Sequence, residues 1–260
     1  MTLQWKVNGS LVGAVNQIIY GVAFYLMEKI SGDNKTSYQK LSFALYFLGL
    51  FNLMFNWGHH IYLLPTEKII HYIAYAVSMT EWILFIRIFY KWNKQIKENK
   101  QHYYFFPYRF LMAADYWVII NLGMALLMSI PAINLYTHGT HITVAHAMGT
   151  TIGINTMIIL AASFYFIKPT FLSKKTLKLN SLFFWSTQLI LLTFLISLIG
   201  MGIQRALWQV GLKKSTFTQM TQASSLWTLL FIILGTLLMI FMGYFIIYLI
   251  LKSLKKNQVT

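Results

Sequence analysis

Asn56-Trp57-Gly58-His59-His60 sets two adjacent histidines inside an otherwise apolar stretch. A second histidine-bearing segment follows later in the chain: His138-Gly139-Thr140-His141-Ile142-Thr143-Val144-Ala145-His146-Ala147-Met148. A histidine in a hydrocarbon-spanning segment is costly without a partner, so each one marks a candidate site. Neutral imidazole is the commonest nitrogen ligand a protein offers, and several converging in one bundle point to a metal or a haem. The chain contains no cysteine. That removes disulfides, zinc–thiolate sites, iron–sulfur clusters and thiolate nucleophiles, leaving His, Met and carboxylates as ligands.

Each candidate has a chemical and a bland reading. His59 and His60 are neighbours, so on a regular helix their side chains diverge by about 100°. Both reach one metal only if the ion sits beside the helix and the side chains lean towards it. Pro65, five residues on, lies where the backbone can distort. The alternative is a pair of interfacial histidines bonded to headgroups or water. His146 is flanked by Ala145, Ala147, Gly149 and Gly153; such small residues let either a flat macrocycle or another helix approach. Its alternative is a histidine bonded to a neighbouring carbonyl. Met148 is either a thioether haem ligand or one of 13 methionines filling apolar space. The His138, Thr140, His141, Thr143 group can bond haem propionates or cap the start of a helix. Glu81, within Val77-Ser78-Met79-Thr80-Glu81-Trp82, can relay protons, neutralise a metal, or pair with a Lys or Thr of a neighbouring helix. Asp115 lies nearer the cytoplasmic end and reads as an interfacial ion pair with a cation such as Arg109.

These residues need a scaffold. The 260 residues are 57% hydrophobic and only 10% charged, against about 25% in soluble domains. The chain therefore reads as an all-α polytopic membrane bundle, one membrane domain over 1–260. A span needs about 20 apolar residues, and seven fit: 10–29, 41–63, 68–90, 109–131, 142–167, 182–203 and 225–251. Of the 21 Lys and Arg, 16 fall in the connections after helices one, three, five and seven. The positive-inside rule then places the C-terminus in the cytoplasm and the N-terminus outside. The net charge of +15 follows from that loop pattern, and nucleic acid is not an expected partner. The start of the chain does not read as a cleavable signal peptide. In this topology His59, His60, His138, His141 and His146 share a depth near the outer face.

Gly58-His59-His60 at an outer helix end, Glu81 twenty-one residues after His60, and His138-Gly-Thr-His141-x-Thr143-x-Ala145-His146 together resemble the large catalytic subunit of bacterial nitric oxide reductase. That enzyme is a member of the haem–copper oxidase superfamily. The resemblance spans nearly the whole chain but only the last seven of the family's twelve core helices, a partial subunit I fold. It implies that His59 and His60 ligate a non-haem metal, that His146 is the axial ligand of a high-spin haem b, and that Glu81 is the carboxylate near that metal, tied to proton supply. The implied activity is reduction of nitric oxide to nitrous oxide in a respiratory chain, with electrons arriving through a low-spin haem. Non-haem iron is the implied second metal. Copper there would make the chain a part of an oxygen-reducing terminal oxidase, and a non-catalytic haem-binding membrane fragment is a further reading.

The chain departs from the family pattern at several positions. Met148 stands where the family carries a low-spin haem histidine. The first helix carries no histidine to complete the non-haem metal, and Asn16 and Gln17 stand where reductases keep a carboxylate. The expected partners are lipid, the missing N-terminal helices from another chain, and a cytochrome c subunit or a quinol as electron donor, in a bacterial inner membrane. Without those helices the chain is expected to be poorly stable.

Overall fold

The computed structural model describes residues 10–32, 40, 42–44, 46–47, 67–96, 105–167, 174–212 and 214–257. Among them every element is helical. A π-helical segment Leu11–Asn16 runs into α1 (Gln17–Ser31). Next come α2 (Lys68–Gln95), α3 (Phe105–Met128) and the short α4 (Pro131–Thr137). One long helix then consists of α5 (His141–Met148), a π segment Gly149–Thr156 and α6 (Met157–Ile167). Finally α7 (Lys174–Gln209), the short α8 (Phe217–Ala223) and α9 (Ser225–Asn257) close the chain.

Six of the seven expected spans have a helix at their place. Of the second, 41–63, only residues 42–44, 46 and 47 are described, and these are helical. Among the described residues, four helices are long and apolar enough to cross a membrane: Phe105–Met128, His141–Ile167, Lys174–Gln209 and Ser225–Leu254. α2 carries Glu81 within its length and Arg87, Lys91 and Lys94 towards its end. α7 outruns its expected span of 182–203. Its 36 residues extend about 54 Å, against a hydrocarbon core of about 30 Å. The excess carries Lys174, Lys175 and Lys178, good helix formers with no reason to stop at the interface.

α3 is the central post. One side packs along the long helix that contains α5 and α6; α2 also packs on α3, and α1 packs chiefly on α6. α7 packs on α5 and along α9. One end of the bundle is an aromatic core: Phe110 stacks on Phe164 at 5.4 Å and meets Phe184 and Phe245 edge-on at 5.1 Å. Four helices (α3, α6, α7 and α9) are thereby joined through one fully buried ring. α9 buries only one stripe; Ile232, Met239, Ile240, Ile246 and Ile247 remain exposed. Large side chains of that kind on an outer face suit a hydrocarbon surround, not water.

Candidate functional site

The histidine helix begins at a built corner. α4 starts with Pro131 at its first position, where a missing N–H costs nothing. His138 ends α4, its backbone N–H donating to the Asn134 carbonyl at 2.8 Å. Gly139 then turns with φ +70°, a left-handed conformation that favours glycine. Thr140 caps α5: its Oγ1 accepts from the Ile142 N–H (3.2 Å) and donates to the Thr137 carbonyl (2.7 Å), which also accepts from Thr143 Oγ1 (2.9 Å). Of the two uses expected for this group, capping is carried by its threonines. His138 is half-buried and His141, the first residue of α5, is exposed.

His146 lies five residues into α5, about 7.5 Å from its start. Its Nδ1 is buried and has no hydrogen-bond partner among the described residues, and the Asn121 backbone lies beside the ring. A bonded chain fixes the backbone beneath it: Asn121 Nδ2 donates to Thr150 Oγ1 (2.6 Å), which donates to the His146 carbonyl (3.3 Å). Directly after Met148 the helix widens into the π segment Gly149–Thr156. Such segments are rare and occur often at functional sites.

The small residues around His146 serve one of their two expected uses. A Cβ on Gly153 would lie 2.7 Å from the Trp117 ring, and one on Gly149 would overlap the Asn121 side chain. Gly149 and Gly153 therefore receive α3, not a macrocycle. Trp117 is held in turn by its Nε1–H donating to Gln188 Oε1 at 2.7 Å. Gly202 of α7 plays the same part against the start of α5, where an added Cβ would lie 2.6 Å from the Ile142 nitrogen. Met148 is half-buried and packs against the apolar core.

One expectation is corrected. Asp115 is not paired with Arg109: both its carboxylate oxygens are buried without a hydrogen-bond partner among the described residues. Arg109 instead donates to Ser181 Oγ (3.2 Å) and stacks over the Phe105 ring at 3.9 Å. The reason is angular, since six residues of helix place Arg109 and Asp115 about 120° apart.

His59 and His60 lie outside the described residues, and for Glu81 only the helical backbone is described. Among the described residues no three His, Asp or Glu side chains gather at a metal-sized site. A polar contact that sequence reasoning missed joins the two π segments: Asn155 Nδ2 donates to Asn16 Oδ1 at 2.9 Å, and both residues are buried. Asn121 was missed as well. The signal for Asn121 and Asn155 was an amide inside an apolar run.

Residues 1–238 match the family described as Cytochrome C and Quinol oxidase polypeptide I. The chain belongs to the haem–copper oxidase subunit I family. A comparison with curated proteins finds no match. Family membership and the four apolar helices make it an integral membrane protein of a respiratory oxidoreductase type. The family binds haem and a second metal, and the residues at His146 fit the haem. The buried Nδ1 of His146 lies by the Asn121 backbone of α3, where a haem-ligating histidine would need an acceptor for its N–H.

Proposed function

We propose that the chain is the C-terminal part of a nitric-oxide-reductase-like catalytic subunit, a single membrane domain that reduces nitric oxide to nitrous oxide together with N-terminal helices from a partner chain. The observation that carries this reading is the orphaned, buried Nδ1 of His146 on a capped helix, in a sequence that also holds His59-His60 and an intramembrane Glu81. In this reading His146 holds the high-spin haem b, and His59 and His60 hold non-haem iron. When bound, these groups supply electrons and Lewis acidity. The chain's own residues position and shield them. The Asn121–Thr150–His146 bonds set the helix backbone, the α3 contact at Gly149 and Gly153 excludes water from one side, and Glu81 hands over protons. His138 and His141, at the outer corner, contact haem propionates.

Glu81 favours nitric oxide over oxygen as substrate, since an acidic group suits a site built around non-haem iron. The reading places the chain in a bacterial inner membrane with its N-terminus outside, taking electrons from a cytochrome c subunit or a quinol through a low-spin haem. Its test is metal analysis and nitric oxide consumption on the chain co-expressed with the reading frame directly upstream. Non-haem iron removed by His59→Ala, with nitric oxide turnover lost, is the expected result. Copper in its place would move the assignment to an oxygen-reducing oxidase, and haem without turnover to a non-catalytic haem-binding fragment.

A further inference from the structure

Lysines gather at one end of the α6–α7–α9 group with no counter-charge on those helices. Beyond Asp115 the sequence contains no aspartate or glutamate at all. Contacts fix which ends meet. Tyr244 of α9 donates its hydroxyl to Asn180 Oδ1 of α7 and stacks on Phe183 at 3.9 Å, so the start of α7 lies beside the end of α9. Lys175 stands about 7.5 Å beyond that contact and Lys252 about 12 Å beyond it, in the same direction. Lys174, Lys175 and Lys178 are exposed there. Lys252 reaches over the Tyr248 ring, its Nζ 5.8 Å from the centroid, and that ring stacks on Phe164 of α6 at 6.0 Å. Lys252 thus stands over the junction of α6 with α9. The neighbouring α1, whose Tyr25 stacks on Phe166, adds Glu28 but also Lys29, and so brings no net negative charge to this end.

A groove of about 350 Å³ opens between α6 and α9 at the same end. Thr156, Ser163 and Ile167 line it along α6, and Ile246, Ile250 and Ser253 along α9. The Ser163 hydroxyl donates to the Ile159 carbonyl and that of Thr156 to the Thr151 carbonyl, each at 2.8 Å, so the wall they present is hydrocarbon. From Thr156 to Ile167 the groove runs about 16 Å, the depth of one leaflet in a hydrocarbon core about 30 Å thick. It ends at Ser253, next in sequence to Lys252. An apolar channel one leaflet long that ends among unopposed lysines matches the two halves of a single molecule, an acyl chain and an anionic headgroup. The positive-inside pattern accounts for lysines at this end. It accounts for neither the missing acids nor the groove.

We propose that the α6–α9 groove and the lysines at its end bind one anionic phospholipid. An acyl chain lies between the two helices, and the headgroup phosphate is held by Lys252 and Lys175. In the proposed topology this end faces the cytoplasm, whose leaflet carries anionic lipid. Binding needs neither haem nor a second metal, so the inference goes beyond the proposed function and stands or falls apart from it.

Native mass spectrometry of the full chain tests it, with equal amounts of phosphatidylglycerol and phosphatidylcholine offered in detergent. The wild type is expected to retain phosphatidylglycerol in preference. Lys252→Gln with Lys175→Gln should weaken that retention about twenty-five-fold, at about fivefold per lysine, and Lys252→Arg with Lys175→Arg should preserve it. Ser163→Phe, which fills the groove and leaves every charge in place, should lower retention of both lipids. Inorganic phosphate should not displace phosphatidylglycerol. Equal retention of the two lipids, no loss in the paired glutamine variant, no effect of Ser163→Phe, or displacement by inorganic phosphate would each overturn the proposal. If the paired glutamine variant does not fold, Ser163→Phe and the phosphate competition on the wild type decide it.

Discussion

At the scale of single residues, His146 and the side chains that seat it bear the most weight. Thr140 is the cap from which the depth of His146 is counted, and Thr140→Ala should cost about 1 kcal/mol of helix stability. The check is a lowered thermal midpoint in detergent, with haem content kept. Gly153→Ala should do more harm than its size suggests, because the added methyl meets the Trp117 ring at 2.7 Å and the ring is pinned by Gln188. Overpacking of that kind costs about 1–3 kcal/mol, read as a fall in midpoint that Trp117→Leu in the same chain partly relieves. Met148 can be tested for its own role. Met148→Leu keeps an apolar side chain and removes the thioether, and its packing against the core predicts an unchanged haem spectrum. Among these residues His146 was legible from the sequence because a histidine in an apolar run has few excuses. The unpaired state of Asp115 was not, since pairing with Arg109 depends on which face of α3 each occupies.

At the scale of elements, apolar length located the helices, and the structure adds how they are tied. Hydropathy placed α3, the α5–α6 helix, α7 and α9 without ambiguity. It could not foresee the π segments, which depend on i+5 bonding and on what presses against the helix. Nor did it catch α4 and α8, although both carry start signals: Pro131 opens α4, and Thr216 with Gln219 forms a reciprocal capping box on α8. Seven residues are too few for an apolar-length criterion to register. The element-level prediction concerns the aromatic end. Phe110 touches rings from α6, α7 and α9, so Phe110→Ala should cost about 3–5 kcal/mol. It should loosen α9 from the bundle, seen as faster proteolysis of the C-terminal helix, while His146 at the far end of α3 keeps its surroundings.

At the scale of the whole molecule, the helices and the family assignment agree on a membrane bundle of haem–copper oxidase type. The histidine-pair end of the second span lies outside the described residues, so the proposed site joins one described wall, His146, to residues known only by their sequence positions. A bundle whose α9 is so largely exposed needs lipid or neighbouring helices to cover it. The chain should therefore be purified in higher yield and with a higher thermal midpoint when co-expressed with helices encoded directly upstream. The central claim is that His146 holds a haem within this chain. A reduced-minus-oxidised optical spectrum of the purified, co-expressed protein, compared with that of His146→Ala, tests it most directly. The account predicts b-type haem bands in the wild type and loss of the high-spin component in the variant. Wild-type protein without haem, or a His146→Ala spectrum identical to the wild type, would contradict it.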